Sequence, residues 1–118
     1  MVVQTNSQKM AQTAWRRIVE RKPSKEFRSF ARDFPSLVHS CGLAQAVAFA
    51  RAKKQEQAQY LEDLAAVLAA IGHAEAASPE GLERATREHA VSAYVRLSRN
   101  ALQVAGWLKR YVEAVEQG

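Results

Sequence analysis

The stretch FPSLVHSCGLAQAVAFA, Phe34 to Ala50, decides the fold because it is the longest run in the 118-residue chain without Asp, Glu, Lys or Arg. Asp33 and Arg51 bound it, so it is shorter than the run of about 20 apolar residues that a membrane-spanning helix needs. Pro35 and Gly42 interrupt it, and both residue types typically mark a change in chain direction. The stretch therefore predicts two apolar segments that pack on each other as the spine of a soluble domain.

Helix-favouring residues dominate the rest of the chain, and only 5 glycines and 3 prolines interrupt it. We predict an all-α fold, a compact single-domain bundle of about six helices over residues 1–118, with residues 1–6 and 117–118 as frayed ends. The single cysteine excludes a disulfide within the chain and favours a reducing, cytoplasmic location.

Proline, glycine and charge predict the helix boundaries of the first half. The first helix should span residues 7–21, and a second should begin with Pro23 in its first turn, where the missing proline N–H costs nothing. Pro35 should interrupt this second helix, because the residue before a proline is pushed away from helical geometry. A third helix, over residues 43–53, has no charge before Arg51 and should be buried on nearly all sides.

The second half should hold three more helices. A break over residues 54–56 should separate the third helix from the fourth, because one helix through both would be long for so small a domain. Gly72 should end the fourth helix, and Ser78 with Pro79 should begin the fifth. Ser98 should cap the sixth and last helix with its hydroxyl.

Apolar residues at helical spacing identify the core. Phe27, Phe30 and Phe34 recur at intervals of three and four residues and form one aromatic stripe. The predicted core set is Phe27, Phe30, Phe34, Pro35, Leu37, Gly42, Leu43, Phe49, Trp107 and Leu108. Because the phenylalanines follow core spacing, we expect little stacking of bases on exposed rings.

Groups for catalysis or metal binding are few. His39, His73 and His89 lie on different segments, and no HExxH, GxxxxGK[ST] or GxGxxG motif occurs. Cys41 has no second cysteine for a thiolate metal site, and between apolar segments we interpret it as a small buried hydrophobe. The sequence thus predicts no enzyme, no metal and no cofactor.

Charge gives the first indication of a function. Residues 1–54 carry 11 Lys and Arg against 3 Asp and Glu, a balance of +8, whereas residues 55–118 carry 6 against 9, a balance of −3. A basic half favours contact with a phosphate backbone, with a merely solvated surface as the alternative. The candidate contacts are Arg17, Arg21, Lys22, Lys25, Arg28, Arg32, Arg51, Lys53 and Lys54.

The order of these features resembles a known family, the small α-helical subunits of the Cmr complexes, which are type III-B CRISPR effectors that target RNA. The resemblance rests on the spaced phenylalanines, on PSLV (35–38) followed by GLAQAVAF (42–49), on Tyr94, Leu97 and Ala101-Leu102, and on WLKRY (107–111). Family members often have Asn before the Gly-Leu pair. This chain has Cys41 there, which removes a side-chain cap but no catalytic group.

The resemblance implies a non-catalytic subunit of an RNA-guided complex, without cofactor and without membrane contact. Its partners would be other Cmr subunits, CRISPR RNA and target RNA, and copies of itself in a stack along the backbone subunits that hold the CRISPR RNA. The nine basic residues would then line the channel of the guide–target duplex. The acidic second half would meet a neighbouring subunit through complementary charge.

Two alternatives of other classes stay open. A small DNA-binding regulator would need a helix-turn-helix, and a turn at Ser98 would then present Asn100 and Gln103 to the bases. A protein–protein adaptor without nucleic-acid contact would tolerate reversal of the basic charges. An enzyme would need an activity that depends on Cys41 or His39.

Overall fold

The computed structural model describes residues 4–53 and 55–117 and shows five α-helices there. They are α1 (Asn6–Arg21), α2 (Lys25–Arg51), α3 (Gln55–Ala70), α4 (Pro79–Glu88) and α5 (Val91–Gln117), with a 3₁₀ turn at Ala74–Ala76 between α3 and α4. The all-α prediction is confirmed, with five helices where about six were expected. The fraying predicted for residues 1–3 and 118 lies outside the described residues.

The start of α1 is capped by its own sequence. The Gln8 amide donates a hydrogen bond to the Thr5 hydroxyl at 3.1 Å, and the Thr5 amide donates one to the Gln8 side chain at 2.9 Å. This reciprocal capping box satisfies two of the amides near a helix start. The helix begins at Asn6, one residue before the predicted start.

The start of α2 corrects the role predicted for Pro23. Ser24 is the N-cap, because its hydroxyl accepts a hydrogen bond from the Phe27 amide at 3.1 Å. α1 ends at its C-cap Lys22, whose φ of 49° is left-handed. Pro23 therefore lies between two caps, where no helix needs its missing N–H, and not in the first turn of α2.

Gly42 interrupts α2, whereas Pro35 does not, contrary to the prediction. Proline's fixed φ suits a helix and its ring removes one backbone hydrogen bond, while burial of Phe34 and Val38 on either side favours the continuous helix. Gly42 has φ 84° and ψ 163°, a combination essentially restricted to glycine. The helix therefore kinks at Gly42, and residues 43–51 form a distinct second part of α2.

A side chain from α5 supports this kink. The break leaves the first amides of the second part of α2 without helical acceptors. The Ala44 amide donates instead to the hydroxyl of Tyr94, at 3.1 Å. Tyr94 thus acts as an N-cap supplied by another helix.

The connections on either side of α3 lie close to their predicted places. α2 ends at Arg51 and α3 begins at Gln55, so they are separate helices and the break falls slightly before residues 54–56. Gly72, with φ 109°, ends α3, and its amide and the next one donate back to carbonyls of the last turn. This Schellman motif needs a left-handed residue, which glycine adopts without strain.

The last two helices confirm one predicted boundary and correct another. Ser78 caps α4 with its hydroxyl and Pro79 is the first helical residue, as predicted. The boundary predicted at Ser98 is wrong, because α5 runs through it without a break. Leu97 and Ala101 on either side are fully buried, so a turn between them would disrupt a continuous apolar stripe. The helix-turn-helix that required this turn does not form.

Four of the helices, α1, α2, α3 and α5, assemble into a bundle with an aromatic centre. α1 and α2 each pack against both α3 and α5, and α4 packs against α2 and α3. Around Tyr60 of α3, the ring centroids of Phe27, Phe30 and Phe34 lie 5.8, 5.3 and 5.0 Å from its own. The aromatic stripe of α2 therefore packs on α3. None of the described helices is long and apolar enough to cross a membrane.

Half of the predicted core set is buried, four members are partly buried, and Phe49 is exposed. Phe27, Phe34, Leu43 and Leu108 are fully buried, Phe30 is 8% exposed, and Leu37, Trp107, Pro35 and Gly42 are partly buried. Phe49 is 45% exposed, which corrects its assignment to the core. Ala46, Val47 and Ala50 occupy the buried side of this segment, so Phe49 lies on the outer side. There the ammonium group of Lys53 stands 4.7 Å from its ring centroid.

Candidate nucleic-acid interface

The structure divides the predicted basic residues among different faces of the bundle. Lys54 lies outside the described residues. Of the other eight, five form ion pairs within the chain, namely Arg17, Arg21, Arg28, Arg32 and Arg51. Lys22, Lys25 and Lys53 are exposed and pair with no carboxylate of residues 4–53 and 55–117. The carboxylates that the five paired arginines contact lie on three different helices, α3, α4 and α5.

Arg17 and Arg21 hold a buried carboxylate between α1 and α3. Asp63 is fully buried; it accepts hydrogen bonds from Arg17 Nε at 2.9 Å and from Arg21 Nε and Nη2 at 3.1 and 2.9 Å. The hydrogen bond to Asp63 raises the pKa of Arg21, against the opposing effect of burial. A buried carboxylate is costly unless it is paired, so these arginines join α1 to α3.

Arg28 and Arg32 lie against the end of α5. Arg32 Nη1 is 3.0 Å from one carboxylate oxygen of Glu116, and Arg28 Nε is 3.9 Å from the other. Arg28 also donates from Nη1 to the Pro23 carbonyl at 2.8 Å. These side chains are all partly exposed, so water and salt weaken the ion pairs.

Arg51 and Lys53 lie at the end of α2, beside α4. Arg51 Nε is 3.5 Å from a carboxylate oxygen of Glu83, and Arg51 Nη1 is 3.7 Å from one of Glu80. Lys53 lies over the Phe49 ring in a cation–π arrangement. Among the described residues at this end of α2, Lys53 can therefore reach a ligand without breaking an ion pair.

Exposed basic residues on α5 form a group that was not predicted from the sequence. They are Arg96, Arg99, Lys109 and Arg110, and none pairs with a carboxylate of the described residues. The sequence does indicate this basic group, since residues 91–112 contain four Lys and Arg residues and no Asp or Glu. The negative balance of the whole second half concealed it, because all 9 acidic residues lie before or after this segment.

Two of the three histidines meet at a glutamate near the 3₁₀ turn. One carboxylate oxygen of Glu75 lies 3.2 Å from His89 Nε2 and 3.5 Å from His73 Nδ1, and His73 Nε2 lies 2.8 Å from Asn100 Nδ2. A hydrogen bond from its own backbone amide lowers the pKa of Glu75, and the two histidines add to this effect. Within residues 4–53 and 55–117, no group of three or more His, Cys, Asp or Glu is arranged to hold a metal ion.

Cys41 and His39 lie on α2 and are not part of that group. The Cys41 thiol donates to the Leu37 carbonyl at 3.2 Å, one helical turn earlier, and its side chain packs at the edge of the core. His39 is exposed. A nucleophile and its base need a hydrogen bond between them, and the hydrogen bonds of the described residues do not join these two side chains.

Fold and sequence both agree with one family of known proteins. Residues 6–115 match the family described as CRISPR-associated protein (Cas_Cmr5). The chain is 35% identical over 117 residues to the CRISPR system Cmr subunit Cmr5 of Thermus thermophilus, with 96% of this chain and 97% of that protein covered. The chain belongs to the Cmr5 family.

The three-dimensional similarity to this family is equally extensive. The X-ray crystal structure of a CRISPR-associated Cmr5 family protein from Thermus thermophilus superimposes with a TM-score of 0.84 at 34% identity, covering 95% of this chain and 97% of that chain. The resemblance inferred from the sequence is thereby confirmed. In this Cmr5-family chain, PSLV precedes the Gly42 kink and GLAQAVAF begins at it. Tyr94, another residue of the resemblance, caps the segment that follows Cys41 and Gly42.

Proposed function

We propose that this Cmr5-family chain is a non-catalytic small subunit of a type III-B CRISPR ribonucleoprotein in the cytoplasm. In this proposal, copies of the chain stack along the backbone subunits of the complex, and basic side chains contact the guide–target duplex. The observation that carries the proposal is the match to the Cmr5 family over residues 6–115, which includes nearly the whole bundle.

The ion pairs favour some members of the predicted basic set over others. Lys22, Lys25 and Lys53 need break no ion pair of the described residues to contact a phosphate, so they are the preferred contacts. Arg28, Arg32 and Arg51 would exchange a partly exposed carboxylate for a phosphate. Arg17 and Arg21 would act mainly by fixing α1 on α3 through Asp63.

The experiment that tests this proposal is purification of the tagged chain from its native host at moderate salt, with identification of the bound proteins and sequencing of the bound RNA. We expect larger Cmr subunits together with short RNAs derived from CRISPR repeats. Recovery of the chain alone, or with duplex DNA, would contradict the proposal.

A charge-reversal variant tests the preferred contacts. Changing Lys22→Glu and Lys25→Glu together should lower the RNA recovered per complex and make its loss at increasing salt steeper, because repulsion replaces phosphate contact. The matched control is Arg84→Glu with Arg87→Glu on α4, which makes the same change in charge at two exposed residues. Equal RNA recovery from both variants would remove Lys22 and Lys25 from the interface.

A protein–protein adaptor is the second candidate function. It is favoured by the internal ion pairs, since five of the eight predicted contact residues that the structure describes already hold carboxylates of the same chain. Co-purification of the Cmr subunits, with RNA retention unchanged by every basic substitution, would identify the chain as such an adaptor.

A further inference from the structure

We propose that the outer face of α5 is a second binding site, which takes the phosphodiester backbone of single-stranded RNA. Its contacts are Arg96, Arg99, Gln103 and Arg110. The inference rests on the proposed function in that the strand is an RNA of the ribonucleoprotein. The site itself follows from the geometry and charge of α5.

The four side chains lie in one row. Their intervals of three, four and seven residues place them on one side of a helix. All four are exposed, while Ala101, Val104 and Leu108 bury the opposite side of α5. From residue 96 to residue 110 the row extends 14 positions (110 − 96), or about 21 Å at the rise of an α-helix. A row of this length is narrow and linear, as a single strand requires.

The positive charge of this row is not cancelled within the described residues. Arg17, Arg21, Arg28, Arg32 and Arg51 are all held by carboxylates. Within residues 4–53 and 55–117 the arginines of the row have no such partner, and the first carboxylate after them along α5 is the half-buried Glu113. Their field therefore extends into solvent over about 8 Å at physiological salt. A phosphate that reaches them displaces no internal ion pair.

Two clefts lie along the row on the side of α1. One, of about 250 Å³, is lined by Ser7, Gln103, Gly106, Trp107 and Arg110. The other, of about 290 Å³, is lined by Asn6, Ile71, Gly72, His73, Arg96 and Asn100. Asn6 and Ser7 belong to the first turn of α1, which has no acidic side chain and whose amides add partial positive charge. The clefts thus give the row electropositive walls as well as arginines.

An aromatic side chain borders the first cleft and favours a single strand over a duplex. Trp107 stacks on Tyr111 with ring centroids 5.7 Å apart, and Tyr111 meets Trp15 edge-on at 5.2 Å. These contacts fix the indole, which is only partly buried and lies beside Arg110 in the cleft. An unpaired base can stack on such a fixed ring while its phosphate meets the arginine, whereas the bases of a duplex are already stacked. The space beside Gly106 is open, so the sugar–phosphate backbone of the RNA can approach α5 closely there.

The test measures binding of a fluorescently labelled oligouridine to the full chain by anisotropy, between about 50 and 200 mM salt. The variant changes Arg96→Gln, Arg99→Gln and Arg110→Gln together. Each phosphate contact on a single strand contributes about 0.7 to the slope of log affinity against log salt, so the three should lower the slope by about 2. Melting curves of the variant should match those of the unaltered chain, because the three side chains are exposed and form no ion pair with the part of the chain that the structure describes.

The matched control changes Arg16→Gln, Arg84→Gln and Arg87→Gln, which removes the same number of charges from exposed residues on α1 and α4. The slope of this control should stay close to that of the unaltered chain. An equal decrease in both variants would mean that net charge alone governs binding. That result, or a failure of the unaltered chain to bind oligouridine, would overturn the inference.

The same triple variant, purified from the native host, separates this inference from the proposed function. If it binds oligouridine as the unaltered chain does and still co-purifies with Cmr subunits, the inference fails and the proposed function stands. If it keeps RNA binding but loses the subunits, the face binds an acidic protein surface, and the inference is overturned. If the unaltered chain recovers no Cmr subunits, the proposed function fails, whatever the anisotropy shows.

Discussion

At the scale of single residues, buried polar groups of this bundle differ in how fully they are satisfied. Asp63 accepts three hydrogen bonds from the guanidinium groups of Arg17 and Arg21. The Tyr60 hydroxyl, by contrast, is buried without a hydrogen-bond partner among the described residues. Burial raises the pKa of Tyr60 far above its ordinary value, and the charge of Asp63 adds to this. Tyr60 therefore contributes through its ring, and Asp63 through its charge.

Removing the Asp63 carboxylate should destabilise the bundle strongly. Asp63→Ala leaves two guanidinium groups facing a gap, and breaking a buried ion pair from one side costs about 3 kcal/mol. The matched control is Glu62→Ala, because Glu62 is 51% exposed and its carboxylate lies 3.3 Å from Arg21, farther than that of Asp63. This substitution should lower the free energy of unfolding by less than about 1 kcal/mol. Urea unfolding measures both changes. Equal losses of stability in the two variants would show that the buried Asp63 ion pair contributes no more than the exposed Glu62 pair.

Two tyrosine hydroxyls should respond in opposite ways to the same substitution. Tyr60→Phe removes an unpaired buried hydroxyl, so stability should stay the same or rise by about 1 kcal/mol. Tyr94→Phe removes the acceptor of the Ala44 amide and should lower stability by about 1 kcal/mol. Thermal and urea unfolding of the two variants give the comparison. A marked loss of stability in Tyr60→Phe would reveal a partner for that hydroxyl.

At the scale of elements, the course of α2 depends on one glycine rather than on its proline. Pro35 leaves the helix intact because the residues on either side are buried together against the rest of the bundle. Gly42 adopts a conformation closed to other residues, and the kink sends the apolar segment 43–51 in a new direction. The hydrogen bond from Ala44 to Tyr94 then connects this kink to α5.

A pair of glycine substitutions tests this account. Gly42→Ala should destabilise the fold by about 1–3 kcal/mol, because a side chain at φ 84° and ψ 163° is strained. A steric clash is not the cause of this destabilisation, since a Cβ added at Gly42 would lie 3.7 Å from the nearest atom, the hydroxyl oxygen of Tyr94. Gly106→Ala is the control: it lies inside α5 with open space around it and should stabilise by about 0.5–1 kcal/mol. Equal effects in urea unfolding would mean that backbone strain does not distinguish the two sites.

At the scale of the whole molecule, ion pairs connect α1 to α3, α2 to α5 and α2 to α4. They differ in burial, so they should differ in strength. The first is centred on a carboxylate with no access to water, whereas the other two are partly exposed on both sides. We therefore expect the ion pair between α1 and α3 to contribute more to the stability of the bundle than the other two.

A double-mutant cycle on Arg32 and Glu116 measures one of the exposed pairs. Arg32→Gln, Glu116→Gln and the double variant should give a coupling energy of about 0.2–1 kcal/mol in urea unfolding. The coupling should largely vanish at about 1 M salt, where the screening length is about 3 Å. A larger coupling that persists at high salt would show that this pair is shielded from solvent.

Local features were readable from the sequence because they depend on neighbouring residues. Helical composition, the glycine that ends α3 and the Ser78-Pro79 start of α4 are set by conformational preferences within a few positions. The stripe of phenylalanines was an equally local pattern, and the family resemblance rested on short motifs spread over most of the chain; both were confirmed. The continuous helix through Ser98 was missed because its support comes from burial against other helices.

The basic surface is the feature that the sequence alone predicted least well. The residues that carry charge were visible, but an arginine's availability depends on whether a distant carboxylate reaches it, and Asp63 and Glu116 are far away along the chain. Packing of α1 on α3 and of α2 on α5 therefore decided which cations are occupied and which are free. The sequence by itself determined an all-helical member of the Cmr5 family; only the tertiary structure, by bringing distant charges within hydrogen-bond range, decided which of its faces stay positive.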